Sequence, residues 1–524
     1  MNPVITRMEA ISACGRGVGA LADGLAAGRA RVRAVPWASE ALRSPFAALA
    51  GLGEAEELLD AVVSAVRPAE GACGLVVATS SGAITGAFER WHRHGGEEEA
   101  WRQAPTRRVA ARHGLAPHTT LSVACASGSA AFATARGWLR DGLVERVIVA
   151  GVDALSLYVH AGFAGLGALA KEACRPFQPG RDGLVLGEGA AAVLLESPAA
   201  ARAAGRPAIA TLRGIGLSQD AVHLTAPDRT GDGLARAVRA ALADAGLDAG
   251  EIDAVSAHGT ATSFNDAMEA RALATVFGGP VPLHAPKAVL GHTLGAAGAI
   301  EAVGLLAMMS GAEPMRAPSL VAEDCPLTVR EAREPRVGLS VNAAFGGVNA
   351  AVVFGPAEET AAPRSLVASE VARVCVEGDD LPLSKVHPAA PPALGRADTY
   401  VRAGIAALAR LGEVPEGAAV VVASETNCRA ADLRYHAGLV AGGPAQASRV
   451  HFTYTIPGAP LAEAAILLGL RGPALVFCDT AERAHAEARG LVSRGEAPAA
   501  IALAVEAPER RARAEAVLYA GVRP

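Results

Sequence analysis

The chain has 524 residues, 51% of them hydrophobic and only 4% aromatic, with a formal net charge of −5. That length allows several domain-sized units with ample core, and the near-neutral balance excludes a global field for nucleic acid or a membrane surface. The eight cysteines are dispersed, without a CxxC pair or metal-ligand spacing, so no disulfide framework and no metal site is expected.

Residues 1–7 lack a charged head ahead of an apolar stretch, so no signal peptide is expected. No uncharged apolar run reaches the ~20 residues that span a bilayer. The expected location is the cytoplasm. Pro3 to Ser12 reads as a first strand, and Val18 to Ala27 as an amphipathic helix. Ala55 to Val66 is a stronger helix, with Leu58, Leu59, Val62 and Val66 on one face. Ala72 to Thr79 is a short apolar run of the kind found in buried parallel strands.

Leu121 to Ala131 reads as strand, tight turn and helix, with Cys125 at the helix N-terminus. Unpaired N–H groups and the helix dipole there favour a thiolate. Taken alone, a buried structural cysteine is the better reading. Arg146 to Val152 is the next strand. Strands alternating with helices predict a mainly parallel sheet covered on both faces.

A second round starts near Gly189, with Ala190 to Leu195 as a strand. It continues with a helix from Gly233 to Ala245, a short strand into His258 and an apolar helix from Ala299 to Met309. Two strands then pair around a Gly-rich turn, and the unit ends near Gly355. Residues 356–398 read as a Pro-containing linker, inside which Leu366 to Val376 could be a strand. After it, Ala418 to Ser424 echoes Gly74 to Ser80, and Ile501 to Glu506 echoes Ile148 to Asp153. The second echo places Cys478 opposite Cys125. Nothing after residue 506 resembles the later part of the first unit, so residues 399–524 read as a half-unit.

Three further stretches bear on Cys125. They are Ala257-His258-Gly259-Thr260-Ala261-Thr262, the run Lys287 to Gly298 with His292 inside it and Glu301 beyond, and Phe345-Gly346-Gly347. Singly they read as a loop histidine, a helix start with a surface lysine, and a hairpin turn. Together, one Cys and two His at strand or turn ends fit carbon–carbon bond chemistry on thioesters. The Cys accepts an acyl group, and two neutral imidazoles donate hydrogen bonds to an enolate oxygen. A Cys–His hydrolase needs one His and an orienting Asn or Asp instead.

These residues resemble the β-ketoacyl-acyl carrier protein synthases of the thiolase-like condensing enzymes, of the elongating type. The likeness also rests on Cys174-Arg175-Pro176-Phe177, on Gly187-Glu188-Gly189 and on Asp220 to Pro227. It implies an α/β fold of duplicated mixed five-stranded sheets in an αβαβα arrangement. The halves would be 1–190 and 191–355, followed by an extra α/β half-unit similar to a truncated, non-catalytic chain-length factor. It also implies decarboxylative condensation of an acyl thioester with malonyl-acyl carrier protein. Cys125 would be the nucleophile, and His258 and His292 would hold the malonyl thioester carbonyl. Lys287 and Glu301 would pair, the N–H groups of Cys125 and Phe345 would form the oxyanion hole, and Phe345 would gate the acyl pocket. Thr260, Thr262, Gly346 and Ala343 would line the substrate path. Phosphopantetheine would arrive on the carrier, with no tightly bound cofactor. The expected partners are acyl carrier protein and a second ketosynthase-like subunit, in a homodimer or heterodimer.

Three positions depart from the family pattern. Ala261 stands where a glycine is usual, Gln178 where an aspartate is usual, and Ala343-Ala344 precedes Phe345 in place of an aromatic and a glycine. The space opened at Ala343 suits a bulky or rigid acyl chain such as a polyene. A coenzyme A thiolase would carry a second reactive Cys beside Phe345-Gly346-Gly347, and none is there. A non-catalytic scaffold usually loses the nucleophile, which the first unit keeps. In the half-unit, Asp479 and Glu482 follow Cys478 and disfavour a thiolate, so Cys478 reads as structural.

Overall fold

The computed structural model describes residues 2–37, 46–51, 54–82, 84, 102–356, 366–379, 381–388, 391–508 and 511–522. Among the described residues, fifteen strands form the body of three five-stranded sheets, with two-residue strands at Gly15–Arg16 and Val329–Arg330 added at their margins. The first sheet holds β1 (Val4–Ser12), β2 (Gly74–Ala78), β3 (His118–Leu121), β4 (Arg146–Asp153) and β5 (Gly189–Glu196) in the order β3-β2-β4-β5-β1. The second holds β6 (Ala210–Gln219), β7 (Ala254–Ser256), β8 (Val281–His284), β9 (Gly338–Ala343) and β10 (Val348–Gly355) in the order β8-β7-β9-β10-β6. In each sheet three strands run parallel and two pair antiparallel, so the topology is duplicated. The third sheet repeats it once more: β11 (Val367–Asp379), β12 (Ala419–Ala423), β13 (Ala474–Phe477), β14 (Ala499–Glu506) and β15 (Arg511–Val522), in the order β13-β12-β14-β15-β11.

The helices that position the site are α1 (Ala55–Val66), α2 (Ser127–Arg140), α3 (Leu157–Gly165), α4 (Asp232–Ala245), α5 (Ala297–Met309), α6 (Arg429–Gly442), α7 (Arg449–Thr453) and α8 (Ala481–Ser493). Helices α2 and α5 touch both the first and the second sheet, and each other. They are the middle layer, which is why α5 is apolar on every side apart from Glu301 and is buried from Ala297 to Met308. Amphipathic α1 covers the outer face of the first sheet, and α4 that of the second. The two central helices cross at glycine: a Cβ on Gly128 would lie 2.4 Å from the Ala299 nitrogen, and one on Gly298 would lie 2.5 Å from the Ser129 nitrogen.

Three expectations change. The strand near Gly189 does not open the second sheet, because β5 pairs with β4 and β1. An antiparallel last strand looks, in sequence, like the start of a new round. The boundary at 190 therefore falls inside the first sheet, and the break comes between Glu196 and Ala210. The range 356–398 is not a linker throughout: β11 spans Val367–Asp379, is paired along its length with β15, and is the counterpart of β1. Residues 357–365, 380, 389 and 390 of that range lie outside the described residues.

The third correction concerns Cys478. The third sheet joins the first edge to edge, with Phe477 opposite Leu121. Ser122 N–H donates to Val476 O and Cys478 N–H donates to Thr120 O, each at 2.8 Å. These two bonds are related by a local two-fold, so Cys478 takes the place of Ser122 and not of Cys125. Five residues separate β3 from α2, but only three separate β13 from α8. The turn that presents Cys125 is absent from the half-unit. Cys478 is 2% exposed, and burial pushes its thiol up to about 12.

Candidate active site

The turn between β3 and α2 lifts Cys125 out of the sheet. Ala124 takes a left-handed φ of +49°, and Ser127 Oγ closes the turn by donating to Ala124 O and accepting from Val123 N–H. Cys125 Sγ then lies 3.0 Å from His292 Nε2. The backbone N–H groups of Phe345 and Cys125 draw its thiol down. Burial nonetheless pushes the thiol up to about 12, against the pull of Lys287. The thiolate expected from the helix N-terminus is therefore not the resting form, because desolvation outweighs the dipole. At rest the neutral thiol and the His292 Nε2 atom share a hydrogen bond.

His258 leaves the end of β7, and its ring stands perpendicular to that of His292 with centroids 5.5 Å apart. Glu269 holds the backbone there, accepting from the N–H groups of His258 and Gly259 at 2.7 and 2.8 Å. His258 Nδ1 faces Lys287 Nζ at 3.4 Å and Asn342 Nδ2 at 3.3 Å. Both of those atoms are donors, so Nδ1 accepts and the ring proton sits on Nε2. Burial, then the Lys287 charge, holds His258 and His292 well below the usual histidine range, so both are neutral. Lys287 Nζ also bonds Glu301 Oε1 at 2.5 Å, in a pair 1% and 2% exposed. Asn342 completes the group, donating to Glu301 Oε2 and accepting from Ser129 Oγ.

A cavity of about 370 Å³ opens on these groups. Cys125, His258, His292, Thr260, Thr262 and Ala343 line it, together with Phe345. Thr260 and Thr262 hydroxyls lie 3.0 Å apart. Lys287 and Glu301 stand behind the histidines and not in the wall. Gly346 lies on the far side of Phe345, against a small separate void. It sits in the turn joining β9 to β10, where Gly346 and Gly347 have φ of +85° and +79°, values that disfavour a side chain. The Ala261 departure is accommodated at φ +60° by Asp266, which accepts its N–H. Gln178 lines a surface groove with Pro176 and Arg316, away from the cavity. Among the described residues, no group of three or more His, Cys, Asp or Glu side chains is arranged to hold a metal ion, and no helix is long and apolar enough to cross a membrane.

Sequence reasoning missed Asn342, Glu269 and Asp153. Asp153, at the end of β4, accepts from Ser80, Ser81 and Gly295 N–H groups and so ties the turn before α5 to the first sheet. Asn342 and Asp153 offered a signal, a polar side chain late in or at the end of a largely apolar strand, whereas Glu269 lies in a helix rich in polar residues and offered none.

The profile described as "Beta-ketoacyl synthase, N-terminal domain" matches residues 72–201, and "Beta-ketoacyl synthase, C-terminal domain" matches residues 209–315. Nodulation protein E of Rhizobium sp. (strain N33) is 39% identical over 242 residues, 44% of this chain and 60% of that protein. The mitochondrial 3-oxoacyl-[acyl-carrier-protein] synthase of Arabidopsis thaliana is 36% identical over 261 residues, 45% of this chain and 56% of that protein. The matched stretch thus spans about 60% of these relatives' length. Among solved structures, the ishigamide ketosynthase/chain length factor is 29% identical with a TM-score of 0.59, covering 68% of this chain and 99% of that one. The PfaC ketosynthase–chain length factor, 16% identical with a TM-score of 0.77, shares the fold over 99% of this chain and 78% of its own. Both domain profiles match in order, the segments that they match hold Cys125, His258 and His292, and over residues 72–315 the chain is similar to the β-ketoacyl synthases.

Proposed function

We propose that the protein is a β-ketoacyl-acyl carrier protein synthase, working in the cytoplasm on polyketide-, polyene- or fatty-acid-type chains. The observation that carries this reading is the approach of the Cys125 sulfur to His292 Nε2 at 3.0 Å, with the His258 ring across the same cavity. The thiol passes its proton to His292 as the sulfur attacks the acyl-carrier thioester. The acyl group moves to Cys125, and the carrier's pantetheine leaves as a thiol with that proton. Malonyl-carrier then loses CO2. Its enolate oxygen takes a hydrogen bond from His258 Nε2–H, beside His292. The carbanion attacks the Cys125 thioester, whose oxyanion is held by the N–H groups of Cys125 and Phe345. Collapse releases the β-ketoacyl carrier and leaves a Cys125 thiolate, which takes up one proton from water entering the open cavity, the proton consumed as the malonyl carboxylate leaves as CO2. Removing one such donor costs about 3–4 kcal/mol of barrier. No tightly bound cofactor is needed, since phosphopantetheine comes with the carrier.

The stretch beginning at β11 acts as a truncated chain-length-factor-like partner, supplied within the same chain. Its five-strand topology, its shortened turn at Cys478 and its lack of histidine motifs support that role. Ala343 and Ala344 line the cavity beside Phe345, which favours a rigid or bulky acyl chain.

Intact-mass and peptide mass spectrometry after incubation with a panel of acyl carriers tests the reading. Acylation is expected on the peptide holding Cys125 and absent in Cys125→Ala. Label on Cys478, or none from a competent panel, overturns it. Saturated donors reacting faster than unsaturated ones of equal length would overturn the polyene preference alone.

A further inference from the structure

Phe345 is the wall between two spaces. On one side lies the cavity holding Cys125. On the other lies a void of about 10 Å³, lined by Val123, Ala124, Gly346 and Val348 and, from the C-terminal stretch, by Ile456 and Leu461. That void is too small for an acyl chain while Phe345 stands where it does. A chain longer than the cavity allows needs the ring to swing aside.

Something holds the ring in place. Phe345 is stacked on Phe163 of α3, with centroids 5.7 Å apart and planes 21° apart. Phe163 meets Phe452 of α7 edge-on at 5.6 Å. Phe452 in turn packs on Tyr435 of α6 at 5.2 Å, and Tyr435 meets Tyr158 edge-on at 4.8 Å. The last three rings are nine-tenths or more buried. Phe452 reaches Phe163 because residue 162 is glycine: a Cβ there would lie 2.3 Å from Phe452 Cε2. The row ends on an anchor, since Tyr158 Oη donates to Asp432 at 2.9 Å and Asp432 is paired with buried Arg102. Aromatic pairs of these geometries are favourable beyond the area that they bury.

We propose that Phe452 is a positioning residue for the Phe345 gate, acting through Phe163, so that the C-terminal stretch sets how readily long acyl chains reach the space behind the gate. This rests on the synthase reading and extends it: the appended stretch would tune chain-length selection by bracing a ring in the first unit, in addition to lining the void.

The test is the rate of Cys125 acylation by intact mass, with a two-carbon and an eight-carbon acyl carrier, on the full-length chain. Phe452→Ala removes the brace. The ratio of eight-carbon to two-carbon loading is expected to rise about three- to tenfold, with two-carbon loading unchanged. Phe452→Tyr keeps the ring and is expected to keep the wild-type ratio. Phe452→Leu, which preserves apolar volume, serves if the alanine variant does not fold and is expected to raise the ratio less. An unchanged ratio in a folded variant, or a parallel fall of both rates, overturns the proposal. Wild-type protein that loads neither donor overturns the synthase reading itself, which separates the two failures.

Discussion

Burial decides protonation at the histidines of the cavity, and His284 shows the same effect most simply. It lies on β8, 1% exposed, and neither ring nitrogen has a hydrogen-bond partner among the described residues. Desolvation lowers it from 6.5 to about 4. A depressed histidine adds stability above its unfolded pKa and loses it as pH falls through the folded one. Between pH 6.5 and 4 this residue alone removes about 3 kcal/mol. His284→Leu is expected to flatten that part of the acid limb in denaturant unfolding measured across pH. At this scale the candidate residues were legible: Cys125, His258 and His292 each stand in a short run of small residues, and the three side chains line one cavity. Asn342 was not legible, because its role comes from Glu301, His258 and Ser129 arriving from three separate segments.

Two helices carry the site, and their separation is set at one crossing. Cys125 precedes α2, while His292 and Lys287 precede α5 and Glu301 lies in its first turns. Gly128 and Gly298 let the backbones meet, so the sulfur–imidazole distance depends on the absence of two side chains. Gly128→Ala places a methyl group against the Ala299 backbone and is expected to cost about 1–3 kcal/mol of stability. The same shift should slow Cys125 acylation more than tenfold, since a small displacement of reacting groups is costly. A melting curve and the acylation assay on one preparation check both. Strand and helix periods were readable in the sequence. The assignment of β5 to the first sheet was not, because pairing direction leaves no mark on an apolar run. Nor was the full extent of β11, a long and largely exposed strand.

Across the whole molecule, the first and third sheets form one ten-stranded surface through β3 and β13. Below this seam lies a buried ion pair: Arg102 Nη1 bonds Asp432 Oδ2 at 2.7 Å, with side chains 4% and 0% exposed. Arg102 also donates to Thr455 O. Removing one partner strands a charge, so Asp432→Ala is expected to cost about 3–5 kcal/mol, and Arg102→Met with Asp432→Leu should recover most of it. Chemical denaturation of the three proteins decides this. The repeat behind the seam was readable from matching strands, but the two-residue shortening ahead of α8 was hidden by a helix register that still matched.

The seam has a consequence for mass action. In a two-chain enzyme an edge such as β3 is satisfied only as far as the partner's concentration allows, and dilution strips it. Here the complementary edge is tethered, so association is a unimolecular step with a local concentration set by the chain itself. Folding and completion of that edge become one event, independent of how much protein the cell makes.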